Sequence, residues 1–190
     1  MKKIEVTEND VEAALNVAKS KEMKDVLAAL FCKRPKPNLD DYKSIQTYKD
    51  ACIALNVDPV IPEMVPDHIK ALMKLETISR ALWGKNFQPK PDAEGKDYYY
   101  YPWFALYTKN EIDDMDDDDR GALLSAIASN GAIAGFGILY TNYRFSFASA
   151  YFGFRLCQET DEKATYFGRQ FIELWAKYLA FNFTTGDHLK

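Results

Sequence analysis

The chain has 190 residues, 47% hydrophobic and 27% charged, with a formal net charge of −4; that is enough apolar surface for one domain with a true core. No apolar run approaches the ~18 residues of a membrane-spanning helix, and Met1-Lys-Lys-Ile-Glu-Val6 meets charge too early for a signal peptide, so a soluble chain is expected. Residues 1–96 carry 16 Lys+Arg against 15 Asp+Glu, and residues 97–190 carry 8 against 13; neither half has the basic footprint of a phosphate-neutralising protein, which disfavours nucleic-acid binding.

Thr7-Glu-Asn-Asp10 reads as a capping box opening a helix with Val11, Ala14, Leu15 and Ala18 on one face. A second helix is expected after Ser20, with Met23, Val26, Leu27, Leu30 and Phe31 in register, ended by Pro35 and Pro37. Thr47-Tyr-Lys-Asp50 repeats the start signal for a short helix, and Pro59, Pro62 and Pro66 then enforce an extended link. Asp67–Trp83 is the best helix of this half, with Leu72, Leu75, Ile78 and Leu82 as its stripe and Gly84 as its C-terminal cap. Residues 85–97 read as a loop.

The second half opens on Tyr98-Tyr-Tyr-Tyr-Pro-Trp-Phe104, six rings in seven residues, extended because Pro102 pushes Tyr101 towards β geometry. Thr108-Lys-Asn-Glu111 is a full capping box for a short helix, and Asp116 is expected to cap a longer one, Asp117–Ser129, stopped at Asn130-Gly131. From Ile133 the period changes to two. Tyr143, Phe145 and Phe147, then Phe152, Phe154 and Leu156, alternate with smaller or polar residues, with turns at Thr141-Asn142 and Ser149-Ala150, as in an antiparallel meander. A final helix, Asp161–Phe181, carries Ala164, Phe167, Gly168, Phe171, Trp175 and Tyr178 on one stripe, with Gly168 allowing close approach to a strand. The expected fold is α+β: a helical N-terminal region, 1–96, and an aromatic-rich region, 97–190, with a small antiparallel sheet under a long amphipathic helix, together one compact unit.

Four stretches resemble an uncharacterised family of small proteins encoded by gut anaerobic bacteria, their phages and integrated mobile elements. They are Tyr48–Pro59, the Lys70–Trp83 helix, Tyr99-Tyr-Tyr-Pro-Trp-Phe104, and Gly153-Phe-Arg-Leu-Cys157 leading into Glu162, Ala164, Tyr166 and Gly168-Arg-Gln-Phe171. Two departures stand out: Phe154 replaces a small residue, and a helical stretch from Leu106 to Asn130 replaces a short Gly/Ser-rich link. The resemblance implies mobile-element biology and brings no assigned activity or site residue.

Candidate sites are few. The acidic run including Asp114, Asp116 and Asp118 invites a cation, yet an EF-hand frame fails at its ligand positions, so the run reads as a solvated helix start. His68 and His188 have no Cys or His partner at metal-ligand spacing, and no cofactor motif occurs. Cys32, Cys52 and Cys157 are odd in number and widely spaced, which argues against a disulfide framework and for a reducing compartment. Cys157 lies on an apparent strand, where a buried thiol is the commoner outcome than a nucleophile. Rings with guanidinium groups make the sharpest binding candidate: Tyr98, Tyr99, Tyr100 and Tyr101 with Arg144, Arg155 and Arg169. The structural alternative buries Trp103, Phe104, Phe171 and Trp175 and pairs the arginines with Glu159, Asp161 or Glu173. The expected function is a non-enzymatic protein-interaction or virion-associated accessory role in a phage or mobile element, in the host cytoplasm or on the virion. Single-stranded nucleic-acid binding, and a hydrolase or sugar-binding cleft using Glu159 or Glu173, are the alternatives.

Overall fold

Helix starts follow the caps. In the computed structural model, which describes residues 7–18, 20, 23, 26–27, 36–90, 94–128, 133–145, 154–180 and 182–189, Thr7, Thr47 and Thr108 each accept from the backbone N–H three residues on. In each case the acid at that position accepts from the threonine's own N–H. They open α1 (Glu8–Val17), α2 (Tyr48–Leu55) and α4 (Lys109–Asp113). Between α2 and α4 runs α3 (Asp67–Trp83). Gly84 ends it with φ +77°, and a Cβ there would meet the Leu39 carbonyl at 2.8 Å. Most of the helix expected after Ser20, the stop at Asn130-Gly131 and the Ser149-Ala150 turn lie outside the described residues.

Contacts divide the chain into two compact units, Met1–Lys36 and Pro37–Lys190. The second holds a four-stranded antiparallel sheet of β1 (Tyr98–Tyr107), β2 (Leu124–Ala128), β3 (Gly135–Phe145) and β4 (Phe183–His188), in the order β1-β3-β2-β4. The α+β class is as the sequence implies, but the meander is not. Thr141 and Asn142 are not a turn: they pair with Pro102 and Tyr101 inside a continuous β3. Asn142 keeps a turn-former's habit, its Oδ1 accepting from the Tyr143 N–H at 2.8 Å. Phe154–Leu156 form a bend and turn rather than a strand, and Gln158 then makes an isolated bridge to Tyr100.

The expected Asp117–Ser129 helix is also corrected. Among its described residues only α5 (Asp117–Gly121) is helical, and β2 follows, so residues 109–128 hold two single-turn helices and a strand. Leu124 and Ala126 are buried while Ile127 is 64% exposed, a period-two pattern. Pairing with β3 on one side and β4 on the other overrides the weak helical preference of this Ala- and Leu-rich run.

The final helix is two helices, α6 (Asp161–Gln170) and α7 (Ile172–Leu179). Phe171, at φ −115° and ψ 27°, interrupts the ladder, and its carbonyl accepts from both Leu174 and Trp175 to start α7. The ring stripe survives the break. Phe167, Phe171 and Trp175 are buried, with Phe167 and Trp175 centroids 5.1 Å apart, and Trp175 reaches Phe104 at 5.1 Å. Phe104 stacks on Phe136 at 5.3 Å. α6 lies on β1 and β3, and α7 packs on α3, whose Leu75, Ile78 and Leu82 are fully buried in the same core. Gly168 sits at the closest approach: a Cβ there would meet Ile138 Cδ1 at 2.6 Å and Pro102 Cβ at 2.8 Å. Pro102 costs β1 no hydrogen bond. Tyr100 exchanges hydrogen bonds with Gln158 outside the sheet, so by alternation position 102 also faces that outer side.

Candidate functional site

Strand alternation separates the four tyrosines. Tyr98 and Tyr100 share one face with Tyr143, which pairs with Tyr100 across the ladder. The rings meet edge to face, Tyr98–Tyr143 at 5.0 Å and Tyr100–Tyr143 at 6.3 Å, with Tyr98 47% and Tyr143 45% exposed. Tyr99 points the other way and is structural. Its ring is buried between Phe87 and Phe154, and its hydroxyl accepts from the Lys90 N–H at 2.8 Å and donates to the Lys90 carbonyl at 2.9 Å. Tyr101 hydrogen-bonds the buried Cys157 thiol. On that face Trp103 stacks on Tyr140 at 5.9 Å, and Tyr140 is 48% exposed. Leu139 is left unopposed by the register shift beside Trp103.

Two of the three arginines pair with carboxylates. Arg155 reaches Glu76 of α3 at 3.1 Å, and Arg169 reaches Asp119 of α5 at 3.3 Å. The acids expected to pair with them are engaged elsewhere or stand apart. Glu159 takes Lys163 at 2.9 Å, Asp161 accepts the Thr141 hydroxyl, and among the described residues Glu173 makes no ion pair with an arginine. Arg144 holds the β3 position opposite Tyr99. Long side chains choose partners by tertiary proximity, so their pairing is not legible in the sequence.

The acidic run is occupied with helix starts. Asp116 Oδ1 accepts from the Asp119 N–H at 2.8 Å, Asp114 is the C-terminal cap of α4, and Asp117 faces Arg120 at 3.4 Å. Among the described residues no three His, Cys, Asp or Glu side chains are placed to hold a metal. His188 Nδ1 lies 3.1 Å from the Gly121 carbonyl. Cys157 is fully buried in the turn before Gln158, not on a strand, and burial pushes its thiol up to about 12. A protonated, inaccessible thiol is no nucleophile.

Tyr98 also borders a cleft of about 470 Å³ that the sequence does not announce. Asn86, Gln88, Lys90, Asp97 and Glu159 line it, gathering hydrogen-bonding groups of both kinds beside a tyrosine ring. Four of these come from the 85–97 segment, readable in the sequence only as a loop. Their polarity was visible, but their convergence on Tyr98 and Glu159 depends on the Tyr99–Lys90 and Tyr100–Gln158 hydrogen bonds. No helix among the described residues is long and apolar enough to cross a membrane. In comparisons with family models, with curated proteins and with solved structures, none matches this chain.

Proposed function

We propose that this protein works by binding another protein through the tyrosine ledge of β1 and β3. The observation that carries the reading is the Tyr98–Tyr100–Tyr143 cluster: rings held edge to face on a rigid sheet, with nearly half of Tyr98 and Tyr143 in solvent. Interface hot spots have this composition, because large rings with few rotatable bonds desolvate much area at small entropic cost. The polar cleft beside Tyr98 supplies the hydrogen-bonding rim. A role as an accessory protein of a phage or mobile element, in the cytoplasm or on a virion, rests on the family resemblance. Site-specific photo-crosslinking from position 98 in the native host tests the reading. A defined adduct is expected, lost when Tyr143→Ala is introduced and kept with Tyr178→Ala. An adduct pattern indifferent to Tyr143→Ala would sink it.

A second reading draws on the cleft itself. Amides, a lysine and two carboxylates around a tyrosine ring suit a carbohydrate, whose hydroxyls both donate and accept. Glycan binding that vanishes with Gln88→Ala and survives Tyr143→Ala would favour it over the protein ledge. Single-stranded nucleic acid is the poorer fit, because Arg155 and Arg169 are each offset by a carboxylate.

A further inference from the structure

We propose that the chain forms a two-fold symmetric dimer by antiparallel pairing of β4 with β4 of a second copy, a surface separate from the tyrosine ledge. The sheet has two edges. The β1 edge is partly closed by Gln158, whereas β4 pairs with β2 alone among the described residues. Ala126 donates its N–H to Ala134 on the β3 side, so by alternation Ile127 is the β2 residue that exchanges hydrogen bonds with its partner Thr184. The N–H and C=O of Phe183 and Thr185 therefore point out along the open edge. Phe183–His188 contains no proline or lysine of the kind that blunts such edges.

The occupant follows from symmetry and charge. Two-fold pairing about Thr184 sets each Phe183 opposite the partner's Thr185, so the outward groups of both strands are satisfied by identical ones. Phe183 stacks towards Phe136 on the helix side of the sheet, and Thr185 shares that side. There it borders a cleft of about 580 Å³ between β4 and α7, lined by Glu173 and Lys177. Among the described residues neither charge is in an ion pair, although they lie one helical turn apart. Rises of about 1.5 Å per helical residue and about 3.3 Å per strand residue put Trp175 and Thr184 at nearly one level, counted from the link between Leu179 and Phe183. Antiparallel copies then bring Glu173 towards the partner's Lys177, twice over. A second copy of this chain satisfies both the edge and the charges.

Sedimentation equilibrium and light scattering on the full chain under reducing conditions test this. A reversible dimer that does not grow into polymers is expected. Thr185→Pro removes an outward N–H that no described residue of the monomer accepts, and should raise the dissociation constant about tenfold or more while circular dichroism is unchanged; Thr185→Val should leave it alone. Should Thr185→Pro misfold, the surface charges give an independent reading. Glu173→Lys should weaken the dimer about fivefold, and the double exchange E173K/K177E should restore it. A monomer at every concentration, an open-ended polymer, or a dimer unmoved by Thr185→Pro or not rescued by the double exchange overturns the proposal.

Discussion

At the scale of single residues, burial helps keep Cys157 and Tyr166 protonated. Cys157 is pushed up to about 12 by burial, and Tyr166 up to about 12 by burial and by the carboxylates of Asp41 and Asp50. The Tyr166 hydroxyl donates to the Ile45 carbonyl at 2.8 Å, a bond that only the protonated form makes. Ordinary values for these groups are about 8.5 and about 10. Above those values the unfolded chain releases protons that the folded chain retains, so stability falls as pH rises. Stability is expected to be level below about pH 8.5 and to fall steadily towards pH 12. Urea midpoints across that range check it, and Tyr166→Phe should flatten the slope while lowering the plateau by about 1 kcal/mol. An alkaline profile identical in the variant would remove Tyr166 from the explanation.

Individual elements obey the sequence where their signals are local. The Thr47 and Thr108 boxes form as written, because a cap is satisfied within four residues and needs no distant partner. Gly168 was legible as a contact glycine for a related reason: it interrupts a stripe of large rings on one helical face. Two effects oppose each other at that position. Gly168→Ala gains about 1 kcal/mol of helix propensity, but the new methyl must displace Ile138 and the rigid Pro102 ring, at a cost of about 1–3 kcal/mol. A net loss of about 1 kcal/mol is expected in chemical denaturation. A stabilised variant would mean that α6 stands further from the sheet. Elements whose identity depends on neighbours were misread. The Leu124–Ala128 run counts as helix by composition and is a strand by pairing, and β4, despite its Phe-Thr-Thr start, carries too short a pattern to be distinguished from a tail.

For the whole molecule, the hydrophobic core of the 37–190 unit gathers, among the described residues, buried side chains from Ile45 to Ala176, with Leu39 and Tyr42 packed against it. A fragment of residues 37–190 is therefore expected to unfold in one cooperative urea transition, with a slope appropriate to its length. A broad, non-cooperative melt would show that this unit does not fold on its own. Composition and period alone established the α+β class, the starts of the capped helices, and the packing of a ring-bearing C-terminal stripe on a ring-rich sheet. Such properties follow from local hydrogen bonding and from the need to bury large apolar faces. Tertiary structure alone decided the strand order, the breaking of the last helix at Phe171, the separation of Tyr99 from Tyr98 and Tyr100, and the carboxylates that Arg155 and Arg169 select. Those outcomes depend on which distant backbones find one another, and ladder hydrogen bonds are indifferent to the side chains that a sequence displays.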